Sequence, residues 1–518
     1  MNRLAEYPGT LLLAVAGSYV LWKLLQGFVL SPLRRIPGPV LARVTILRAL
    51  RNRLPKKVIQ TALADFERYG DIYVSRPDTV TISHPKDVRA VLGARDSWKI
   101  DVYQGLQDPV LKNLVTFNHP QLASQRRRQI SPFLNSNAYL VQMEDAILEH
   151  GAVALMAKWN AKLRQSEEEV EIEINYRNDT QLATFNIMSA LAFGRDLSGQ
   201  ADTDSSVIVD WIAATALYIG VSINFKALLH FPLSLIIAPW LAKYKDFVQF
   251  GKESVALRRE MMANTPSKGD LPKDVLQAFI DAEDPDSKVK MTSQEIQAES
   301  VGMQLAGSET TSASLTWALH LFTLYPDALR RATLEIRSQF DTNHLIRYAD
   351  CRKALPFLES FIYETFRYAP ITSGFMPRTS PKEMEFQGHF IPAGTKVAFN
   401  LLALNNRRDV WETPEKFVPD RFIGNEEGKK NIFAFSYGPR SCVGQNLAWM
   451  EIMTILANML LHFDIALPKD AVYGPENLGE LGIPQLMETQ CHIVFAPVHP
   501  ERDCRLLLSR RKDLTTAM

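Results

Sequence analysis

A chain of 518 residues with 46% hydrophobic residues can bury a large core, and 58 Lys and Arg against 57 Asp and Glu leave a formal net charge of +1. So even a balance gives no electrostatic footprint for nucleic acid. The four cysteines, Cys351, Cys442, Cys491 and Cys504, lack the paired spacing of a disulfide scaffold or a zinc ribbon, so a reducing, cytosol-facing compartment is expected.

Pro8 to Leu30 is largely apolar and long enough to span a bilayer. Lys23, its one charge, lies near the C-terminal end, where it can snorkel to the interface. Ala14-Val15-Ala16 mimics a signal cleavage site, but few apolar residues precede it and the apolar run continues beyond, which favours an uncleaved anchor. Arg34, Arg35, Arg43, Arg48, Arg51, Arg53, Lys56 and Lys57 follow the span, and only Arg3 precedes it. The positive-inside rule then puts the main domain in the cytosol. The expected organisation is a luminal segment 1–7, an anchor 8–30 and one large domain 31–518, with no repeat or low-complexity linker inside it. Ile36-Pro37-Gly38-Pro39 reads as a stiff hinge.

Pro55 to Tyr69 reads as an amphipathic helix ending at Gly70. Ile72–Ser75 and Thr79–Ser83 read as a strand pair around Pro77-Asp78, and His84-Pro85 opens a helix to Leu92. Asp96 to Val115 is mixed and irregular, and Arg126-Arg127-Arg128 by itself reads as a solvated basic face. Asn178 to Gly194 is helical with an apolar face. From Ala216 to Tyr244 only Lys226 and Lys243 are charged, and Asn224, His230, Pro232 and Pro239 interrupt the run. This predicts two helices joined by an apolar loop that dips into a membrane surface.

Thr292 and Glu295 form a capping box, with Met291 and Ile296 placed as a hydrophobic staple. The helix they open can run to Tyr325, where Pro326 stops it, a length of roughly 50 Å. Gly302 and Gly307 inside it each cost up to about 1 kcal/mol relative to alanine, so something must offset them. Gly302, Ala306, Thr310 and Ala313 share one face. Such a small-residue stripe would admit a flat cofactor and a diatomic ligand. Glu309 and Thr310 offer a carboxylate and a hydroxyl for proton delivery. Tight helix packing, with Thr310 bonded back to the Ala306 carbonyl, is the alternative.

Leu355 to Tyr368 is helical, and Glu364 and Arg367 lie three residues apart on it, a common surface pair. Ile371 to Met376 reads as an apolar strand before Pro377-Arg378, and Ile391 to Thr395 as a turn between strands. Phe435-Ser-Tyr-Gly-Pro-Arg-Ser-Cys-Val-Gly444 runs into an apolar helical pattern, Gln445 to Leu461. Glycine and proline give that stretch a tight, irregular backbone, which delivers Cys442 just ahead of a helix N-terminus. Unpaired N–H groups and the helix dipole there favour a thiolate, a strong ligand for haem iron. Arg440 could pair with a haem carboxylate. A buried structural cysteine near a turn is the ordinary alternative. Against it, Phe-x-x-Gly-x-Arg-x-Cys-x-Gly would arise by chance in a chain this long about once in ten thousand sequences. Leu478 to Leu486 is a glycine-interrupted apolar loop, and Arg502 to Met518 reads as a polar, basic tail.

The cysteine stretch is the signature of the cytochrome P-450 family, and the chain resembles that family from the proline hinge to Val498. The resemblance implies a mainly α fold with a smaller β-rich lobe, the cytochrome P-450 fold, behind a single N-terminal transmembrane helix. It implies haem b with Cys442 as axial thiolate and metal ligand. Phe435, Arg440, Arg127 (counted back from Pro132) and Arg378 would be the other cofactor contacts. Ala123 stands where the family usually carries an aromatic residue or histidine, four positions before Arg127. Ala306 to Thr311 matches the family's oxygen-activation motif, which makes Thr310 the proton-relay residue and Glu309 its acidic partner. Glu364, Arg367 and Arg421 match a structural triad that locks a helix to the cysteine loop. Asp96–Val115, Ile371–Met376 and Leu478–Leu486 would border a substrate pocket, and Ala216–Tyr244 its lid.

The implied activity is a monooxygenase acting on a lipophilic small molecule, with secondary metabolites, terpenoids and steroids as the expected class. The implied location is the endoplasmic reticulum membrane, and electrons would come from an NADPH-cytochrome reductase, with cytochrome b5 as a second donor. No P-loop or dinucleotide fingerprint supplies them from within the chain. A haem-thiolate isomerase or dehydratase, and a membrane haem sensor or electron carrier, are the rival classes.

Overall fold

The computed structural model describes residues 8–52, 57–100, 108–135, 137–165, 171–196, 205–374, 377–379, 381–479, 481–491 and 494–511. Arg3, Arg53, Pro55, Lys56, Met376 and the end of the predicted tail lie outside them.

Helix α1 (Pro8–Leu25) continues through a π-helical turn, Gln26–Leu30. Its Leu13–Leu30 stretch is, among the described residues, the one helix long and apolar enough to cross a membrane, and it stands almost wholly clear of the protein. Gly27 is the exception. The short Val40–Val44 helix sits so close that a Cβ on Gly27 would fall 2.7 Å from the Arg43 carbonyl oxygen. Arg43 reaches back to the carbonyls of Ile36 and Arg34 and stacks over Phe28. The predicted proline hinge is therefore a strap: the Pro37 carbonyl accepts the Val74 N–H at 2.8 Å.

The strands, in chain order, are β1 (Ile72–Arg76), β2 (Thr79–Ile82), β3 (Trp98–Lys99), β4 (Glu171–Asn175), β5 (Arg378–Thr379), β6 (Met384–Phe386), β7 (His389–Ile391), β8 (Lys396–Phe399), β9 (Phe463–Ala466), β10 (Thr489–Cys491), β11 (Phe495–Pro497) and β12 (Arg505–Arg510). The main sheet has the order β1-β2-β8-β5-β3, and Val74, Val80, Ile82, Val397 and Phe399 bury its inner face against Val88 and Leu92. This is the smaller β-rich lobe.

A second sheet, β4-β12-β9, was not expected. The residues read as a basic tail form its central strand, with Leu506 and Leu508 fully buried. Arginines flank that apolar alternation and hide it. Arg505 finds counter-charges in Glu173 and Asp470. Leu508→Ala is expected to destabilise the protein by about 2–5 kcal/mol, measurable as a lowered thermal midpoint. A midpoint like that of the parent would show that this strand adds nothing to the core.

The helical lobe surrounds α6. The helices used below are α2 (Pro120–Leu134), α3 (Tyr176–Phe193), α4 (Ser205–Asn224), α5 (Ala238–Asn264), α6 (Ser293–Leu324), α7 (Pro356–Tyr368) and α8 (Gln445–His462). The capping box of α6 is formed: Thr292 Oγ1 accepts the Glu295 N–H at 3.2 Å, and the Glu295 carboxylate accepts the Thr292 N–H at 2.8 Å. Protein neighbours account for the glycines of α6. A Cβ on Gly302 would fall 2.2 Å from Asn113 Nδ2, and one on Gly307 would fall 2.6 Å from Met188 Sδ. The small-residue stripe is thus open only in part. Gly302 and Ala313 are buried, while Ala306 and Thr310 keep accessible surface.

Helices α4 and α5 are joined by two 3₁₀ turns, Lys226–Leu229 and Leu233–Ile237. Phe225, Phe231, Leu235 and Ile236 are exposed there, Phe231 at 82%, as two helices with an apolar loop require. Residues 371–374 form bends instead of the predicted strand. Thr372 Oγ1 donates to the Gly374 carbonyl at 2.7 Å, and a Cβ on Gly374 would collide with the Phe399 carbonyl. The pairing begins only at Arg378. The Leu478–Leu486 loop closes on itself through a Leu478–Pro484 bridge and leaves Leu478 and Leu481 in solvent. The segment that meets Ile371 is β11, whose Phe495 N–H donates to the Ile371 carbonyl at 2.7 Å.

Candidate active site

The cysteine loop is shaped by two left-handed residues, Ser436 (φ 64°) and Gly438 (φ 74°). A side chain at Gly438 would fall 2.4 Å from the Leu92 carbonyl, where the Pro85–Gly93 helix ends against the loop, so only glycine fits. The Cys442 N–H donates to the Phe435 carbonyl at 2.8 Å and closes the turn. Helix α8 starts three residues later, with Gly444 as its N-cap. The Phe435 ring packs edge-on against Phe366 of α7, with centroids 5.5 Å apart, and against Trp449 of α8. It braces the loop from behind.

Cys442 keeps accessible surface yet lies deep among protein atoms, and burial pushes its thiol pKa up. The Gly444 N–H and Arg127 pull the other way without winning. The N–H at the start of α8 thus favours the thiolate, as expected, while burial opposes it.

The three consecutive arginines of α2 are not one solvated face. Arg127 Nη1 donates to the Ser441 carbonyl at 2.7 Å, beside Cys442. Arg126 is buried and turns to Glu295 and Glu299 of α6. Arg128 pairs with Asp284 at 2.7 Å.

Arg378 is buried on β5, directly opposite Lys99 of β3. Like charges facing each other across a ladder are unfavourable, and a third cation, Arg440, adds to them. Burial first, then Arg378 and Arg127, lower the Arg440 pKa to about 10. Burial, Arg440 and Arg378 hold Lys99 well below the usual ammonium range. Arg440 Nη2 donates to the Phe117 carbonyl, while its Nη1 is buried without a hydrogen-bond partner among the described residues. Lys99 was missed by sequence reasoning. A lone lysine in an irregular stretch carries no signal, and only the register of two short strands reveals its place.

Glu309 and Thr310 stand on α6, which packs against both α7 and α8. Thr310 Oγ1 donates to the Ala306 carbonyl at 2.7 Å, so the predicted back-bond is present. The Glu309 carboxylate is held from α3, by Arg177 at 3.0 Å and by Gln181. Arg177 also donates to Ser312 Oγ at 2.8 Å. Glu364, Arg367 and Arg421 form the expected triad. Glu364 accepts from Arg367 at 2.7 and 2.8 Å, from Arg421 Nε at 3.1 Å and from the Val418 N–H at 2.8 Å.

A family model described as Cytochrome P450 matches residues 37–487. The chain belongs to the cytochrome P450 family. Among its relatives is the cytochrome P450 monooxygenase helB2 of Aspergillus fumigatus, 59% identical over 95% of this chain and 97% of that protein. The monooxygenases helB1 and helB3 of the same fungus are 45% and 40% identical, over 95% and 97% of this chain and 84% and 98% of theirs. This P450 is accordingly a haem-thiolate monooxygenase.

The residues of this chain fit haem. The gathered cationic side chains of Lys99, Arg127, Arg378 and Arg440 would suit an anionic group, and Arg440 Nη1, without a hydrogen-bond partner among the described residues, would be a donor for a haem carboxylate. Cys442, next to the Ser441 carbonyl that Arg127 binds, presents an accessible sulfur that would ligate the iron.

Proposed function

We propose that Cys442 is the axial ligand of haem b in a membrane-anchored P450. The enzyme would insert one atom of O2 into a lipophilic small molecule, with the second atom leaving as water. The observation that carries this reading is Arg440 Nη1, unpaired among the described residues, within a cluster of buried and half-buried like charges beside Cys442. When bound, haem would supply the binding and activation of O2, with Cys442 as its thiolate ligand.

The chain's own groups do the rest. Arg127, Arg378, Arg440 and Lys99 orient the cofactor through its carboxylates. Phe435 braces the loop that holds Cys442. Thr310 is an accessible hydroxyl whose one hydrogen bond among the described residues is to the Ala306 carbonyl, so it can hold a proton at Oγ1 and pass it on. Glu309 reloads it after release from Arg177 and Gln181. Thr310→Ala is expected to keep haem but to lower product formed per electron consumed by about 100-fold. Unchanged coupling would remove Thr310 from the relay.

The organisation is a luminal segment 1–7, an anchor 8–30 and a cytosolic domain 31–518, in a single-pass protein of the endoplasmic reticulum. The exposed apolar loop between α4 and α5 supports entry of substrate from the bilayer, and terpenoid or steroid secondary metabolites suit that route. Electrons come from an NADPH-cytochrome reductase, with cytochrome b5 as a second donor. The deciding experiment is oxygen uptake by reconstituted enzyme turning over substrate. Uptake matched to product supports the reading. Full product formation without uptake would sink it in favour of isomerase or dehydratase chemistry.

A further inference from the structure

Buried Lys99 and half-buried Arg440 share a feature. Each is aimed by a backbone carbonyl of one short segment, Asn113–Phe117. Lys99 Nζ donates to the Val115 carbonyl, and Arg440 Nη2 to the Phe117 carbonyl. The segment is a tight turn closed by Asn113, whose Oδ1 accepts the N–H groups of Val115 (3.1 Å) and Thr116 (3.3 Å). Where these carbonyls lie decides where the two cations point.

What holds the segment is α6, more than two turns before Glu309. Both oxygens of the Glu299 carboxylate accept the Leu114 N–H, at 3.0 and 3.1 Å. Asn113 Nδ2 donates to the Ala298 carbonyl at 3.3 Å. Asn113 fits against α6 only because residue 302 is glycine. Glu299 is buried, and its charge is shared with Arg126, whose Nη1 lies 3.2 Å away and whose guanidinium covers the Phe117 ring. A buried carboxylate is costly unless it is paired and hydrogen-bonded, and this one spends both of its oxygens on a loop amide.

We propose that Glu299 is a positioning residue for the haem carboxylates: it clamps the 113–117 segment to α6, and the segment's carbonyls aim Lys99 and Arg440. This rests on the reading of those two cations as carboxylate partners. Glu299 itself touches no reacting atom. Its removal acts on the carboxylate end of the cofactor and leaves the contacts of the macrocycle alone.

The test measures release of the cofactor from purified full-length holoprotein to excess apomyoglobin. Natural haem is compared with its dimethyl ester, which lacks the charged carboxylates. The parent protein is expected to release the ester faster than natural haem. In Glu299→Gln, release of natural haem should rise about ten-fold, the scale of one lost charge-assisted hydrogen bond, while release of the ester stays unchanged. Asn113→Ala leaves the Glu299 charge in place but frees the segment, and should give the same pattern. Glu295→Gln, which alters the same arginine without touching Leu114, should leave the ratio as in the parent.

Equal acceleration of both cofactors by Glu299→Gln and Asn113→Ala would show general loosening and overturn the proposal, as would unchanged release of natural haem. If the parent releases both cofactors at one rate, the carboxylate reading of Lys99 and Arg440 fails first, and the role of Glu299 falls with it.

Discussion

Cys442→Ser is expected to abolish the strongly red-shifted Soret band of the reduced, carbon monoxide-bound protein and to lower product formation by at least about 1,000-fold, a loss of roughly 4 kcal/mol in transition-state stabilisation. The loop should survive, because its shape comes from Ser436, Gly438 and the Cys442 N–H to Phe435 carbonyl bond, none of which involves sulfur. What changes is the ligand. Burial already opposes ionisation of the thiol, and only Gly444 and Arg127 help it. An alcohol in the same position ionises far less readily, so the charge that defines a thiolate-ligated haem would be lost. Any haem retained would rest on the arginines and Lys99 and show a different spectrum. A red-shifted band of full intensity in the serine variant would place the axial ligand elsewhere.

Glu364→Gln is expected to be the most damaging single change away from the cysteine loop. Glu364 and Arg367 are both fully buried. Arg367 makes five hydrogen bonds: two to Glu364 and three to the carbonyls of Asn405, Pro414 and Lys416. Removing one member of a buried ion pair costs about 3–5 kcal/mol, because the other charge stays behind without its partner. That is a large part of the roughly 5–15 kcal/mol that holds a typical protein together. Arg421 would lose its anchor as well, and with it the tie between α7 and the chain leading to the cysteine loop. The expected result is a protein that accumulates poorly and carries much less haem per polypeptide. Arg367→Lys keeps the charge but not the planar fork, and should fail in the same direction. Near-normal haem content and thermal midpoint in both variants would reduce the triad to an ordinary ion pair.

Much of this site was legible because its chemistry is local in sequence. The cysteine loop needs glycine and proline within a few residues of Cys442. The α6 cap needs Thr292 and Glu295 at fixed spacing. Glu364 and Arg367 are one helical turn apart. The residues that escaped act across the chain. Lys99 matters because two-residue strands set it opposite Arg378. Arg177 and Gln181 matter because α3 lies along α6 and reaches Glu309. Gly302 looked like an opening for a cofactor and proved to be a socket for Asn113. Leu506 and Leu508 alternate as a strand should, but basic neighbours masked the pattern. For Lys99, Glu309 and Gly302 the decisive neighbour is far away in sequence, where periodicity and spacing carry no information.

The place of β12 has a consequence for how the protein is made. Ile172 of β4 pairs with Leu508, and Ile465 of β9 flanks the same residue. At roughly 5–20 residues per second, a ribosome needs tens of seconds to cover the roughly 340 residues between β4 and its partner. During that interval β4 waits with an open edge, and β9, which follows α8 directly, waits with it. The helix that begins behind Cys442 therefore runs into a sheet that closes only after residue 510 has left the exit tunnel. Closure of the sheet behind the cysteine helix is in this way set by a strand made long after the first one it joins.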